Sequence, residues 1–174
     1  MSGRRGRLVA LEGGEGCGKS TQAALLATRL GAVLTREPGG TGVGEQVRVL
    51  LLGPAAGSLD PRAEALLMAA ARAQHVAEVV APALAEGRDV VTDRFSHSSL
   101  AYQGHGRGLP LDEVRQLSEW ATGGLWPDAV VLLDLPAAEA WARLGRLDRF
   151  EAEGDGFHQR VAAGFRALAA ADPG

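Results

Sequence analysis

The octapeptide Gly13-Gly14-Glu15-Gly16-Cys17-Gly18-Lys19-Ser20 constrains this chain more than any other stretch. It satisfies G-x-x-x-x-G-K-[ST] at every fixed position, between an apolar run (Leu8 to Leu11) and a helical segment (Lys19 to Leu30) closed by Gly31. Phosphate oxygens need several backbone N–H groups at once, and only glycine-rich backbone curls tightly enough to supply them. The positive end of the helix starting at Lys19 adds to the same point. Residues Gly13, Gly14, Glu15, Gly16, Cys17, Gly18, Lys19, Ser20 and Thr21 are therefore expected to cradle a nucleotide triphosphate. Lys19 bridges the β- and γ-phosphates in this reading, and the Ser20 hydroxyl meets Mg²⁺.

Residue usage singles out the same place. Of 18 basic residues only Lys19 is lysine, and the chain has no asparagine or isoleucine. A chain that writes arginine everywhere else keeps lysine where a compact ammonium on a thin stem is needed. Without asparagine or a second lysine, it cannot carry the Asn-Lys-x-Asp motif of guanine-reading switches. Cys17 reads as a small filler of the loop.

At 174 residues the chain has the length of one domain. A net charge of −3 argues against a nucleic-acid partner. No long apolar run follows the arginines of residues 1–7, so neither a signal peptide nor a membrane span is expected, and the expected location is cytoplasmic. The lone cysteine excludes an internal disulfide framework.

Strand and helix patterns alternate. Strands are expected at Leu8 to Leu11, Ala32 to Thr35, Val90 to Thr92 and Ala129 to Leu135, the last read as the plainest buried strand. Helices are expected at Lys19 to Leu30, Glu45 to Leu52 and Leu111 to Ala121, with Asp60-Pro61 opening a long one towards Val80 that Pro82 bends or restarts. Further helices are expected at Ala137 to Leu144 and Phe157 to Ala171. This order predicts an α/β fold with a parallel sheet covered on both faces. The three tryptophans read as core, and His75, His97, His105 and His158 as structural or surface residues.

A kinase acting on a monophosphate needs cations converging on two sets of phosphates and a lid that expels water. Candidate cations are Arg36, Arg72 and Arg94, and the late cluster Arg143, Arg146 and Arg149. Taken together, Thr35-Arg36-Glu37-Pro38-Gly39-Gly40-Thr41, Asp93-Arg94-Phe95, Ser98-Ser99-Leu100-Ala101-Tyr102-Gln103-Gly104 and Leu147-Asp148-Arg149-Phe150-Glu151 resemble bacterial thymidylate kinase. The resemblance runs in order from Leu8 to about Pro173.

That resemblance implies a three-layer α/β/α P-loop NTPase fold with a central parallel sheet, and one kinase domain over residues 1–174 with a lid at about 143–155. It implies phosphoryl transfer from ATP to dTMP, with Mg²⁺, and a homodimer. Asp93 would hold the metal with Ser20, while Arg36 and Arg94 would grip the dTMP phosphate. Arg72 would donate to a thymine carbonyl, and Ser99 would lie at the base edge. Tyr102 would close off the sugar's 2′ side, and Glu15 would face the 3′-hydroxyl or the metal. Gln103 is placed with the acceptor-binding residues. No arginine stands in the phosphate loop, so Arg149, with Arg143 or Arg146, would neutralise the transferring group; Lys19 and Arg94 complete the catalytic set. Met68 departs from the family's usual phenylalanine, and Ser99 from a frequent asparagine. The family's pattern continues past Gly174 with a strand and a terminal helix near the adenine, elements expected to be missing from this sequence. The rival readings are a related kinase with another acceptor, such as dUMP, and a nucleotide-binding protein without turnover.

Overall fold

Leu8 and Ala10 project from one side of strand β1 (Leu8–Glu12), Val9 and Leu11 from the other, and helices cover both sides. The computed structural model describes residues 4–53, 58–136, 139–140, 142 and 148–171. Along it follow α1 (Lys19–Leu30), β2 (Val33–Arg36), α2 (Gly42–Leu52) and α3 (Pro61–His75). A π-helical turn (Val76–Val80) leads to α4 (Ala81–Ala85) and β3 (Val90–Asp93). Then come α5 (Ser96–Ser99), a second π-helical stretch (Leu100–Gly106), α6 (Leu111–Thr122), β4 (Ala129–Leu132) and α7 (Asp155–Ala171).

The strands are parallel, in the order β2-β3-β1-β4, with Leu8 opposite Val90, Val9 opposite Ala129 and Val33 opposite Val90. On one face Leu8, Ala10 and Val90 pack with Val76, Val80, Ala83, Leu84 and Phe95. On the other, Leu11 and Val91 pack with Ala23 and Ala27 of α1, whose small side chains let the helix lie close to the sheet. The result is three layers, as expected. Truncating a fully buried residue such as Leu8 to alanine should cost about 2–5 kcal/mol.

Several boundaries differ from expectation for local reasons. Helix α2 starts at Gly42 because the Thr41 hydroxyl caps it, accepting from the Gly44 N–H at 2.9 Å. Asp60 caps α3 as predicted, but the long helix passes through the π turn at Val76–Val80 before Pro82 restarts it in α4. Strand β4 ends at Leu132 and lies at the sheet edge, with Val130 and Val131 substantially exposed. An apolar run records the strand's composition, not whether a neighbour pairs on both sides. Trp120 is 83% exposed on α6, contrary to a core role, and Trp141 lies outside the described residues. No helix among the described residues is long and apolar enough to cross a membrane.

In a parallel sheet all strand C-termini open on one edge, and ligands bind there beside the point where strand order reverses. Here that edge gathers Gly13 after β1, Arg36 ending β2, Asp93 ending β3 with Arg94 after it, and Leu133 after β4.

Candidate active site

The loop after β1 takes left-handed backbone at Gly16 (φ 69°) and Gly18 (φ 91°), the latter capping α1. A Cβ on Gly16 would stand 2.4 Å from the Ala140 carbonyl, so this loop needs glycine for space as well as conformation. Lys19 is 6% exposed, and its Nζ donates to the Gly14 carbonyl at 2.5 Å beside the Cys17 thiol. Burial, reinforced by the nearby Arg94 charge, lowers its pKa from the ordinary lysine value. Ser20 and Thr21 are exposed in the first turn of α1.

Arg94 is held against this loop. Its Nη1 donates to the Gly13 carbonyl (2.9 Å) and Ser98 Oγ (3.1 Å), and its Nη2 to Glu15 Oε1 (2.6 Å) and Tyr102 Oη (3.1 Å). The Tyr102 hydroxyl donates to the same Glu15 oxygen at 2.6 Å, and the guanidinium lies 4.9 Å from the Tyr102 ring centroid. Arg94 has φ 72°, a left-handed conformation costly for a residue with a Cβ and characteristic of functional sites. Burial pushes the Glu15 carboxyl up, but Arg94 and Lys19 outweigh it and, with the two hydrogen bonds, hold it at about 2. Burial also opposes the charge on Arg94, yet Glu15, Tyr102 and Glu12 raise its pKa above the ordinary arginine value.

Beneath Arg94 lies Glu12, which the sequence reading did not single out. It is 1% exposed and accepts from the Phe95 N–H (2.8 Å), the Ser98 N–H (3.2 Å) and Ser98 Oγ (2.6 Å). Burial pushes its carboxyl up to about 7, against the pull of Ser98 and Arg94.

Ser20 Oγ donates to Asp93 Oδ2 at 2.5 Å, so the two expected metal-holding oxygens stand side by side. Among the described residues no group of three or more His, Cys, Asp and Glu could hold an ion. A hydroxyl and one carboxylate suit a hard cation that takes its other oxygens from water and phosphates. Both residues line a cavity of about 400 Å³ with Thr35, Arg36, Gly40 and Glu45. Arg36 is exposed there and pairs with Glu45 at 3.0 Å. A second cavity, of about 450 Å³, extends from Glu15, Cys17 and Tyr102 to Phe165 of α7.

Arg72 does not open onto a free surface, although alanines flank it. It is 2% exposed and donates to Glu37 Oε2 (2.7 Å), the Phe95 carbonyl (3.2 Å), Ser99 Oγ (3.0 Å) and Ser118 Oγ (3.4 Å). Four residues earlier, Met68 is buried against Val47, Leu51 and Ala71. Helix α3 thus turns Glu64, Met68, Arg72 and His75 inward at helical spacing. Polar residues at helical spacing inside an alanine-rich helix were the available signal for Glu64 and His75.

Of the late arginines the structure describes Arg149, whose bonds go to other partners than the phosphate loop. Arg149 donates to the Leu51 carbonyl (2.6 Å) and to Glu64 (2.8 Å); Arg143 and Arg146 lie outside the described residues. Gln103, expected beside an acceptor, is fully buried and donates to the same Glu64 at 2.8 Å. Arg107 forks onto Glu64 as well, with its Nη2 at 3.0 Å. A carboxylate with no exposure needs such partners, and these bonds override any outward orientation.

The family model for thymidylate kinase matches residues 11–174. A thymidylate kinase of Synechococcus sp. (strain JA-2-3B'a(2-13)) is 54% identical over 170 residues, 95% of this chain and 82% of that protein. One from Leifsonia xyli subsp. xyli is 54% identical over 176 residues, 96% and 83% of the two chains. The crystal structure of thymidylate kinase from Ehrlichia chaffeensis superposes with a TM-score of 0.82 at 34% identity, covering 97% of this chain and 89% of that one. With a phosphate loop, a strand-end aspartate–arginine pair and a buried arginine on α3 arranged on one sheet edge, the chain belongs to the thymidylate kinase family.

Proposed function

We propose that this chain transfers the γ-phosphoryl group of ATP to dTMP, giving dTDP and ADP. The observation that carries the reading is Arg94, fixed by Gly13 and Glu15 against the very loop that cradles the donor phosphates. One nucleotide would lie on the backbone of Gly13 to Thr21 with Lys19 at its β- and γ-phosphates. Arg94 and Arg36 would grip the phosphate of the second. Both Nη groups of Arg94 donate to protein acceptors, so among the described residues its Nε–H is the donor left for that phosphate.

The attacking atom is a phosphate oxygen that is already anionic, so no general base is needed, and catalysis reduces to alignment and charge stabilisation. Glu15 stays ionised throughout the neutral range and faces the 3′-hydroxyl, while Tyr102 closes the sugar's 2′ side. Arg72, steadied by Ser99, donates to a base carbonyl over Met68. Ser20 and Asp93 would hold Mg²⁺. When bound, the ion would neutralise charge on phosphate oxygens. Residues 1–174 act as one kinase domain in this reading, with a lid over about 143–155 bringing Arg143, Arg146 or Arg149 to the transferring group. A homodimeric, cytoplasmic enzyme completes the proposal, by family analogy.

The test is direct: incubate the purified chain with ATP, Mg²⁺ and a panel of nucleoside monophosphates, and resolve the diphosphates. Formation of dTDP ahead of the other diphosphates is expected. ADP without a diphosphate formed from any added monophosphate, or a stronger preference for another acceptor, would overturn the assignment.

A further inference from the structure

Arg72 is held by more than its own helix. Its Nε–H goes to Glu37 Oε2 at 2.7 Å, and the other oxygen of Glu37 lies 2.9 Å from His75 Nδ1. A carboxylate only accepts, so His75 Nδ1 is the donor of this contact. His75 Nε2 in turn lies 2.6 Å from Thr35 Oγ1. The chain Thr35–His75–Glu37–Arg72 therefore ties strand β2 and its following loop to α3, with His75, Glu37 and Arg72 all nearly inaccessible. Gly40 (φ 78°) packs over it: a Cβ there would stand 2.8 Å from Thr35 Oγ1 and 2.9 Å from the His75 ring.

We propose that Glu37 and His75 are positioning residues for recognition of the acceptor's base, holding the Arg72 guanidinium so that its remaining N–H selects a ring carbonyl over an amino group. This rests on the kinase reading above. Of the five guanidinium N–H groups, Nε, both on Nη2 and one on Nη1 have acceptors among the described residues. One Nη1 donor is left. It can meet only an acceptor, so a pyrimidine with a carbonyl there pairs with it, and one with an amino group presents donor to donor. Discrimination of this kind needs the guanidinium plane fixed, and a carboxylate on Nε fixes it from the side opposite the free donor. Arg36 lies between Thr35 and Glu37, so the same clamp sets the backbone of a proposed phosphate-gripping residue. A buried ion pair serving stability alone would have no reason to affect base choice.

Steady-state kinetics of Glu37→Gln on dTMP and dCMP separate the two roles. The ratio of kcat/KM for dTMP over dCMP is expected to fall about tenfold or more, through KM for dTMP, with KM for ATP changed by less than about twofold. His75→Ala should lower the ratio too, and His75→Asn, which keeps an N–H towards Glu37, should recover part of it. An unchanged ratio, or equal losses on both substrates, overturns the proposal. Should Glu37→Gln fail to fold, the two His75 variants carry the same comparison. A readout independent of turnover is the Arg72 Nε–H resonance in ¹H–¹⁵N spectra, assigned with Arg72→Lys. It should be protected from exchange in the parent and shifted or lost in Glu37→Gln or His75→Ala. If dTDP never forms while that resonance behaves so, the kinase reading fails and the clamp stands; an unaffected resonance sinks the clamp itself.

Discussion

Arg94 Nη2 and the Tyr102 hydroxyl donate to the same oxygen of Glu15, each at 2.6 Å, locking the end of β3 onto the phosphate loop. Arg94→Lys keeps the charge but loses the planar fork that makes four bonds at once. Its kcat/KM for dTMP is expected to fall about 10²-fold, while KM for ATP moves by less than about threefold. Varying each substrate in turn checks this. Equal effects on both would mean that Arg94 shapes the loop and does not hold the acceptor.

Lys19 and Ser20 should separate charge stabilisation from binding. Lys19→Ala is expected to lower kcat about 10²–10³-fold with dTMP affinity nearly intact, as for loss of one preorganised donor. Ser20→Ala should raise the Mg²⁺ concentration needed for half-maximal turnover, since it removes one oxygen of the Ser20–Asp93 pair. Chelation with EDTA should stop turnover and leave dTMP binding measurable by calorimetry. Turnover that survives EDTA would contradict the metal assignment.

Glu12 and Glu15 should give the fold opposite pH dependences. The Glu12 pKa is raised from about 4.5 to about 7 on folding, so its contribution is fully present below about pH 4.5 and is lost as pH rises through about 7. The change is on the order of 3 kcal/mol. Glu15 is shifted the other way, so its contribution is present above about pH 4.5 and is lost as pH falls towards about 2. Urea unfolding from pH 5 to pH 8 should show stability declining in the parent and a flatter profile in Glu12→Gln. Parallel profiles would show that Glu12 keeps its ordinary titration.

Glu64 accepts from Gln103, Arg107 and Arg149 with no exposure to solvent, joining α3, the π-helical stretch at Leu100–Gly106 and the segment after residue 147. Removing it leaves two guanidinium groups without their buried partner. Glu64→Ala should therefore lower the unfolding free energy by about 3–5 kcal/mol, and Arg149→Ala by less, because Arg149 is partly exposed. Denaturant midpoints at constant slope would measure both. A loss under about 1 kcal/mol for Glu64→Ala would show that the cluster opens readily.

The sheet, α1 and the phosphate loop were legible because their signals are local. Glycines at Gly13, Gly16 and Gly18, the unbroken apolar run of β1 and a capped α3 each fix a conformation within a few residues. The start of α2 shifted because the short-range Thr41 cap acts there, while α7 begins at Asp155 and the helical stretch Ser96–Gly106 was not among the expected helices. The core position of Trp120 was misread because its place on α6 depends on what packs against that helix.

From the sequence alone came the glycine-rich loop between β1 and α1, with Lys19 and Ser20 at the helix start, and, through resemblance, the roles proposed for Asp93, Arg94 and Arg72. The loop, Lys19 and Ser20 are set by residue order along one strand–loop–helix unit, where neighbours in sequence are neighbours in space. Only tertiary structure decided that Glu37 and His75 stand behind Arg72, that Glu64 captures Arg149 and Gln103, and that Glu12 is buried beneath Arg94. Those pairings join residues 35 to 86 positions apart, and a buried charge selects its partner by proximity and desolvation, which spacing along the chain does not encode.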